Sequence, residues 1–362
     1  MQKRRTFIKN TGLLLGVAAI LPLYSFKPNY KKKKLGVCLV GLGQYSREQL
    51  APALQLTNHC ELKGIVTGTP SKIPIWQQKY GILDKNVYSY ETMDAIANNP
   101  EIDVIYIVLP TGLHAKYAIK AANAGKHVWC EKPMAKTEEE CKAIIAACNK
   151  NKVKLSIGYR LQHEPNTQQL IKWGKTRSYG AIKTVKSEVG FFVGKHKKTW
   201  RSTQELGGGL IYDVGVYTVN GIRYTTGEEP IAVTAHHKNT RPEIFTEIPE
   251  TTTFTLDFAS GIKGYGKTTA AERTNILRAD CENGWYELSP FHEYSGIKGK
   301  TSDGILLNTV IENQQAKQMD EDALTIIQDS PVLVPGENGM KDIAIVEAIN
   351  KAASTGEKVF LN

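Results

Sequence analysis

Leu35-Gly36-Val37-Cys38-Leu39-Val40-Gly41-Leu42-Gly43-Gln44-Tyr45-Ser46 is the stretch on which the fold turns. Its first six residues form an apolar run suited to a strand buried on both faces. A Gly-x-Gly turn ends the run, and a helical pattern continues through Leu56. Gly41 permits the tight turn, and Gly43 lets the backbone approach a pyrophosphate at the helix N-terminus. Ser46 stands where the dinucleotide fingerprint has a third Gly or Ala, so position between strand and helix carries the motif more than its letters do.

Outward from this loop, strand and helix alternate. Residues 62–66 read as a second strand. Residues 104–109 read as a third, ended by Pro110, with Thr111 placed to cap a helix over 114–124 and Gly125 to end it. A further strand, His127–Cys130, runs into Glu131-Lys132-Pro133. This alternation predicts a doubly wound parallel sheet of the Rossmann type over residues 34–158, with its ligand beyond the carboxyl ends of the strands. The acidic residue expected at the end of the second strand is absent from Thr67-Gly68-Thr69-Pro70-Ser71-Lys72. Hydroxyls and Lys72 suit a 2′-phosphate instead, which favours NADP over NAD; the alternative is a surface lysine opening the next helix.

After residue 158 the texture changes to segments rich in Val, Thr, Ile and aromatics at 181–193, 231–238, 251–258, 262–269 and 277–288. Ser260-Gly261 and Asn283-Gly284 read as hairpin turns. These predict a second α+β domain over 159–362 with a large, mostly antiparallel, open-faced sheet. Between its first two strands, Gly207-Gly208-Gly209-Leu210-Ile211-Tyr212-Asp213-Val214-Gly215-Val216-Tyr217 reads as helical and sets Asp213 and Tyr217 four apart on one face. Such a pair is either a polar stripe or an acid–base pair. Tyr217 suits proton transfer if a cation such as Lys132 lowers its phenol pKa from about 10.

The chain has 362 residues, 41% of them hydrophobic, enough for two cored domains. Its formal charge of +10 resides in the N-terminus: residues 1–34 hold nine Lys or Arg and no acid, leaving 37 basic against 36 acidic residues. That balance speaks against a nucleic-acid footprint. Six cysteines without a CxxC pair exclude the usual zinc and dithiol patterns, so no metal site is expected. Lys3-Arg4-Arg5-Thr6-Phe7-Ile8-Lys9 followed by an apolar run over 13–23 reads as a twin-arginine export signal, with residues 1–33 as signal and linker and no evident cleavage site. The alternative is an uncleaved anchor, although the run is short for a bilayer. Such cargo crosses folded, so buried free thiols are expected.

Gly125-Lys126-His127-Val128-Trp129-Cys130-Glu131-Lys132-Pro133, the GLGQYS loop and GGGLIYDVGVY together resemble the Gfo/Idh/MocA oxidoreductase family, and within it the glucose-fructose oxidoreductase branch. The likeness runs from about Leu35 to Val359 and includes Ile157-Gly158-Tyr159-Arg160 and Thr199-Trp200-Arg201. The resemblance implies Lys132 beside the nicotinamide, often before a cis proline, Tyr217 as acid–base residue and Asp213 as its neighbour. It implies a dinucleotide lined by Gly41, Gly43, Tyr45, Thr67, Gly68, Lys72, Leu109, Pro110, His114, Glu131, Lys132, Arg160, Trp200 and Arg201. It further implies a sugar substrate and a homodimer or homotetramer joined through the open sheet face.

The branch holds NADP without releasing it and oxidises one sugar while reducing another, which suits an exported, periplasmic chain cut off from cytoplasmic cofactor. The expected function is therefore an exported sugar oxidoreductase with tightly bound NADP, delivered by the twin-arginine translocase. The alternatives are glycoside cleavage by transient oxidation on the same fold, a simple sugar dehydrogenase with exchangeable cofactor, and a sugar-nucleotide sensor.

Overall fold

β1 (Leu35–Val40), β2 (Cys60–Val66), β3 (Val87–Tyr88), β4 (Val104–Ile107), β5 (His127–Cys130) and β6 (Leu155–Ile157) pair in the order β3-β2-β1-β4-β5-β6, every pair parallel. The computed structural model describes residues 34–194 and 200–361, which belong to one compact unit; the arginine pair and the apolar run at 13–23 lie outside the described residues. The strand order reverses between β1 and β4, which opens a crevice past their carboxyl ends.

Side chains alternate across a strand, so β1 feeds two cores. Cys38 and Val40 join a core with Tyr117 and Ala118 of α3 (His114–Asn123) and Cys141 and Ile144 of α4 (Glu138–Lys150). Val37 and Leu39 join another with Leu50, Ala51 and Trp76, which come from the helical run Ser46–Leu50, α1 (Ala51–Ala53) and α2 (Ile73–Tyr80). Thr111 does not cap α3. Residues Thr111–Leu113 form a 3-10 turn in which the Leu113 N–H donates to Pro110 O at 2.8 Å, so Leu113 takes the cap position without a side-chain bond.

The second sheet contains β7 (Ile182–Gly190), β8 (Pro230–Lys238), β9 (Thr251–Phe258), β10 (Lys263–Thr269), β11 (Thr274–Cys281), β12 (Gly284–Leu288), β13 (Gly299–Thr301), β14 (Leu306–Leu307) and β15 (Val359–Phe360). Its order is β14-β13-β12-β11-β7-β10-β9-β8-β15, and only β7 and β10 pair in parallel. α5 (Pro165–Thr176), α6 (Val216–Thr226) and α8 (Gly336–Thr355) pack against β12, β7 with β10, and β8 respectively. On the opposite face Thr234 and Tyr265 are exposed.

Two features depart from the sequence reading. The glycine triplet is not helical: Gly207 and Gly209 have φ of +71° and +109°, and winding begins with a π-turn over Ile211–Gly215 that leads into α6. The other is α7 (Gln314–Ile327), which comes after the second sheet in sequence yet packs on the first. Its Ala316, Met319 and Ala323 complete the core behind β1, and Asp320 Oδ1 accepts from the backbone N–H groups of Asn58 and His59 at 2.9 and 2.8 Å. All six cysteines are buried thiols, with Cys130, Cys141 and Cys148 in one core.

Candidate active site

A cleft of about 630 Å³ lies at the switch between β1 and β4. One end is the glycine loop. Gly41 has φ +94°, and a Cβ there would meet Val108 O at 2.4 Å, so only glycine fits. Gly43 faces open space. Ser46, in the third-glycine position, is buried and donates through Oγ to Gly41 O at 2.6 Å, which knots the loop it departs from. Past β2 the wall is Thr67, Gly68, Thr69 and Lys72, with no carboxylate among them; Lys72 Nζ donates to Leu42 O at 2.9 Å. A glycine cradle beside hydroxyls and an ammonium fits a dinucleotide bearing a 2′-phosphate. Tyr45, Leu109 and Pro110 line the same cleft.

The other end gathers Glu131, Lys132, Arg201, Asp213 and Tyr217. β5 delivers Glu131 and Lys132, the second before a cis proline, while the π-turn and the start of α6 deliver Asp213 and Tyr217. Lys132 Nζ donates to Asp213 O at 2.6 Å and stands 3.7 Å from Asp213 Oδ1, with the Tyr217 ring centroid at 4.8 Å. Arg201 Nε donates to Asp213 Oδ2 at 3.0 Å. Glu131 accepts from Tyr106 Oη at 2.6 Å, and burial raises its carboxyl to about 7. Gly158 makes room for it, since a Cβ there would lie 2.7 Å from Glu131 Oε1.

The cation that acts most strongly on Tyr217 is Arg160. Burial pushes the phenol above its ordinary value; Arg160 pulls it down, while Glu131 and Asp213 push it further up. Lys132, the cation the sequence offered for this role, places its ammonium 4.8 Å from the ring centroid and is not among the largest influences on the phenol. Arg160 is itself buried and does not line the cleft, contrary to its expected place there. Its guanidinium lies 5.5 Å from the Tyr217 centroid and 4.6 Å from that of Tyr294, and it donates to Glu293 O at 2.7 Å and to Gln314 Oε1.

His114 departs in the same way: buried behind the wall, it sets its ring nitrogens 2.7 Å from Leu109 O and 2.9 Å from Pro133 O, tying the two lining segments together. Trp200 lies in the turn Trp200–Ser202, with its side chain outside the described residues. Among the described residues no group of His, Cys, Asp or Glu is placed to hold a metal.

Sequence reading missed His292 and Tyr294, which enter the cleft from the β12–β13 connection. The His292 ring centroid is 4.4 Å from that of Tyr217, and Tyr294 stands 6.0 Å from Tyr45. Burial, then the charges of Arg160 and Lys132, holds the His292 imidazole well below its ordinary value, so it is neutral at physiological pH. The one signal in the sequence was a run of polar-tipped side chains, His292-Glu293-Tyr294, in a connection with no period.

Residues 35–159 match the oxidoreductase family with an NAD-binding Rossmann fold, and residues 167–287 match the GFO/IDH/MocA C-terminal domain. The chain is 37% identical to an aldose-aldose oxidoreductase from Caulobacter crescentus, crystallised with glycerol, with a TM-score of 0.87 over 91% of this chain and 100% of that one. It is 26% identical over 338 residues to an NADP+-dependent D-xylose 1-dehydrogenase from Haloarcula marismortui, covering 90% of this chain and 92% of the other. An oxidoreductase domain protein from Kribbella flavida, at 16% identity, shares the fold with a TM-score of 0.79 over 91% and 100% of the two chains. Matched in both halves and along nearly its whole described length, the chain belongs to the Gfo/Idh/MocA oxidoreductases, with an NAD-binding Rossmann fold in its first half.

Proposed function

We propose that this enzyme is an aldose oxidoreductase, exported through the twin-arginine translocase, that keeps NADP bound while it oxidises one sugar and reduces another. The observation that carries the reading is the composition of the cleft: a phosphate-binding loop at one end and the Lys132, Asp213 and Tyr217 cluster at the other. The likeness to an enzyme that works between two aldoses supports alternation between sugars. Arg4-Arg5-Thr6-Phe7-Ile8-Lys9 and the apolar run behind it support export to the periplasm. Outside the cytoplasm no nicotinamide pool exists, so a retained cofactor restored by a second substrate keeps such an enzyme working. Association of two or four copies through the exposed face of the nine-stranded sheet belongs to the same reading.

NADP, when bound, supplies the hydride acceptor for one half-reaction and the donor for the other. The protein handles the proton. Tyr217 takes it from the reacting hydroxyl and returns it to a carbonyl. Lys132 stands over the phenol ring and is held by Asp213, which Arg201 braces in turn. Glu131 keeps its carboxyl against Tyr106 behind Lys132.

A second reading, a sugar dehydrogenase with exchangeable cofactor, is favoured by the likeness to the D-xylose 1-dehydrogenase. Protein purified without added nucleotide separates the two. The captive-cofactor reading expects stoichiometric nicotinamide in the purified protein, an absorbance band of the reduced form that rises with one aldose and decays with a second, and enzyme recovered from the periplasm. Nicotinamide-free protein that turns over only with added NADP establishes the dehydrogenase instead.

A further inference from the structure

Asn275 of β11 pins the β12–β13 connection from both sides. Its Oδ1 accepts from the backbone N–H groups of Phe291 and His292, both at 2.9 Å; its Nδ2 donates to His292 O at 3.1 Å and to Glu293 Oε1 at 3.0 Å. Phe291 is fully buried, so His292 is presented to the cleft on a fixed backbone with its ring against that of Tyr217. No described residue hydrogen-bonds that ring. Of the neighbouring acceptors, Asp213 Oδ2 already takes Arg201, Asp213 O takes Lys132, and Glu131 Oε1 takes Tyr106. The cations Lys132 and Arg160 close by favour a neutral imidazole, which has one nitrogen to accept and one N–H to donate. A sugar brings hydroxyl protons that need such an acceptor, because a buried hydroxyl left unpaired weakens binding.

We propose that His292 is the specificity-determining residue that reads the hydroxyl beside the reacting carbon. For an aldose oxidised at C1, the 2-hydroxyl donates to the His292 imidazole while Tyr217, packed on the same ring, engages the 1-hydroxyl. Two polar-edged rings carried side by side suit two hydroxyls on adjacent carbons. The ring oxygen, the other neighbour of C1, has no proton to give and does not satisfy an accepting nitrogen. The inference rests on the aldose reading of the same cleft and names which part of the sugar is recognised.

The test compares an aldose with its 2-deoxy analogue on native enzyme and on His292→Phe, which keeps a ring against Tyr217. Native enzyme prefers the parent sugar by about tenfold in kcat/KM, in line with one hydrogen bond. In His292→Phe the parent falls by about that factor and the 2-deoxy sugar is unchanged, so the preference vanishes. His292→Asn, which retains an acceptor, restores part of it. Calorimetric titration of NADP-loaded protein with 1,5-anhydroglucitol and its 2-deoxy analogue, neither oxidisable at C1, shows the same convergence without turnover. The inference is overturned if native enzyme treats parent and 2-deoxy sugars alike. It is also overturned if His292→Phe keeps the preference or lowers both sugars equally, or if His292→Asn restores none of it. Native enzyme that oxidises no aldose removes the aldose reading together with the inference, whereas the other outcomes remove the inference alone.

Discussion

Burial, with Glu131 and Asp213, holds the proton on the Tyr217 phenol through the physiological range against the pull of Arg160, so in the proposed cycle Tyr217 gives a proton to a carbonyl and recovers it from a hydroxyl. Tyr217→Phe keeps the ring contacts with His292 and Tyr159 and removes the oxygen. Turnover should fall by roughly 10²- to 10⁴-fold with nicotinamide content unchanged, as single-turnover absorbance would record. Glu131 sets a pH dependence. Its carboxyl is raised by burial from 4.5 to about 7, so the folded chain holds this proton more tightly than the unfolded one. The stability it contributes is complete below about 4.5 and is lost as pH rises through about 7, on the order of 3 kcal/mol. Glu131→Gln, which still accepts from Tyr106, should flatten that part of the fall in Tm between pH 5 and 8, as calorimetry would register. Lys132, Asp213 and Tyr217 drew notice by strand-end position and helical spacing, which left a plain polar stripe open; their roles were implied by the family resemblance, and the structure brings all three to one cleft. The roles of Arg160 and His114 were not legible, since which side of the wall a side chain occupies depends on packing that no motif encodes.

Among elements, the β12–β13 connection does the most with the least secondary structure. Asn275→Ala removes four hydrogen bonds that hold it, two of them to backbone N–H groups of consecutive residues. Sugar KM should rise by roughly tenfold while nicotinamide content stays constant, and Tm should drop by an amount matching about 1–3 kcal/mol. Steady-state kinetics beside thermal unfolding would check both. Two strands were read from the sequence to the residue: Thr251–Phe258, where β-branched residues alternate buried and open, and His127–Cys130, a short buried run between turn residues. Short strands such as β13 and β14 carried no such signal. The Gly207-Gly208-Gly209 run looked helical only by continuity with the helix after it, and two positive φ angles make it the turn that launches the π-wound segment.

At the scale of the whole molecule, the boundary read at residue 158 marks where one sheet ends, not where its support ends. One face of β1 and β2 is buried in a core that a helix supplied from residues 314–327 completes. Met319→Ala in the full chain should therefore destabilise the first sheet by about 2–5 kcal/mol. Urea unfolding monitored by tryptophan emission, with Trp76 and Trp129 in that core, would report it. The parallel sheet and its switch point were apparent from alternating periods alone. The return of α7 was not, because an amphipathic helix states that it has an apolar side without naming the surface that will cover it.

That return also orders events during synthesis. The nucleotide-binding half leaves the ribosome first but lacks part of its cover until residues 314–327 have been translated, so its core closes only after the second sheet has been made. A message cut short before that helix leaves the apolar layer behind the first sheet open, so the seating of one late helix is what closes the wall on which the cleft is built.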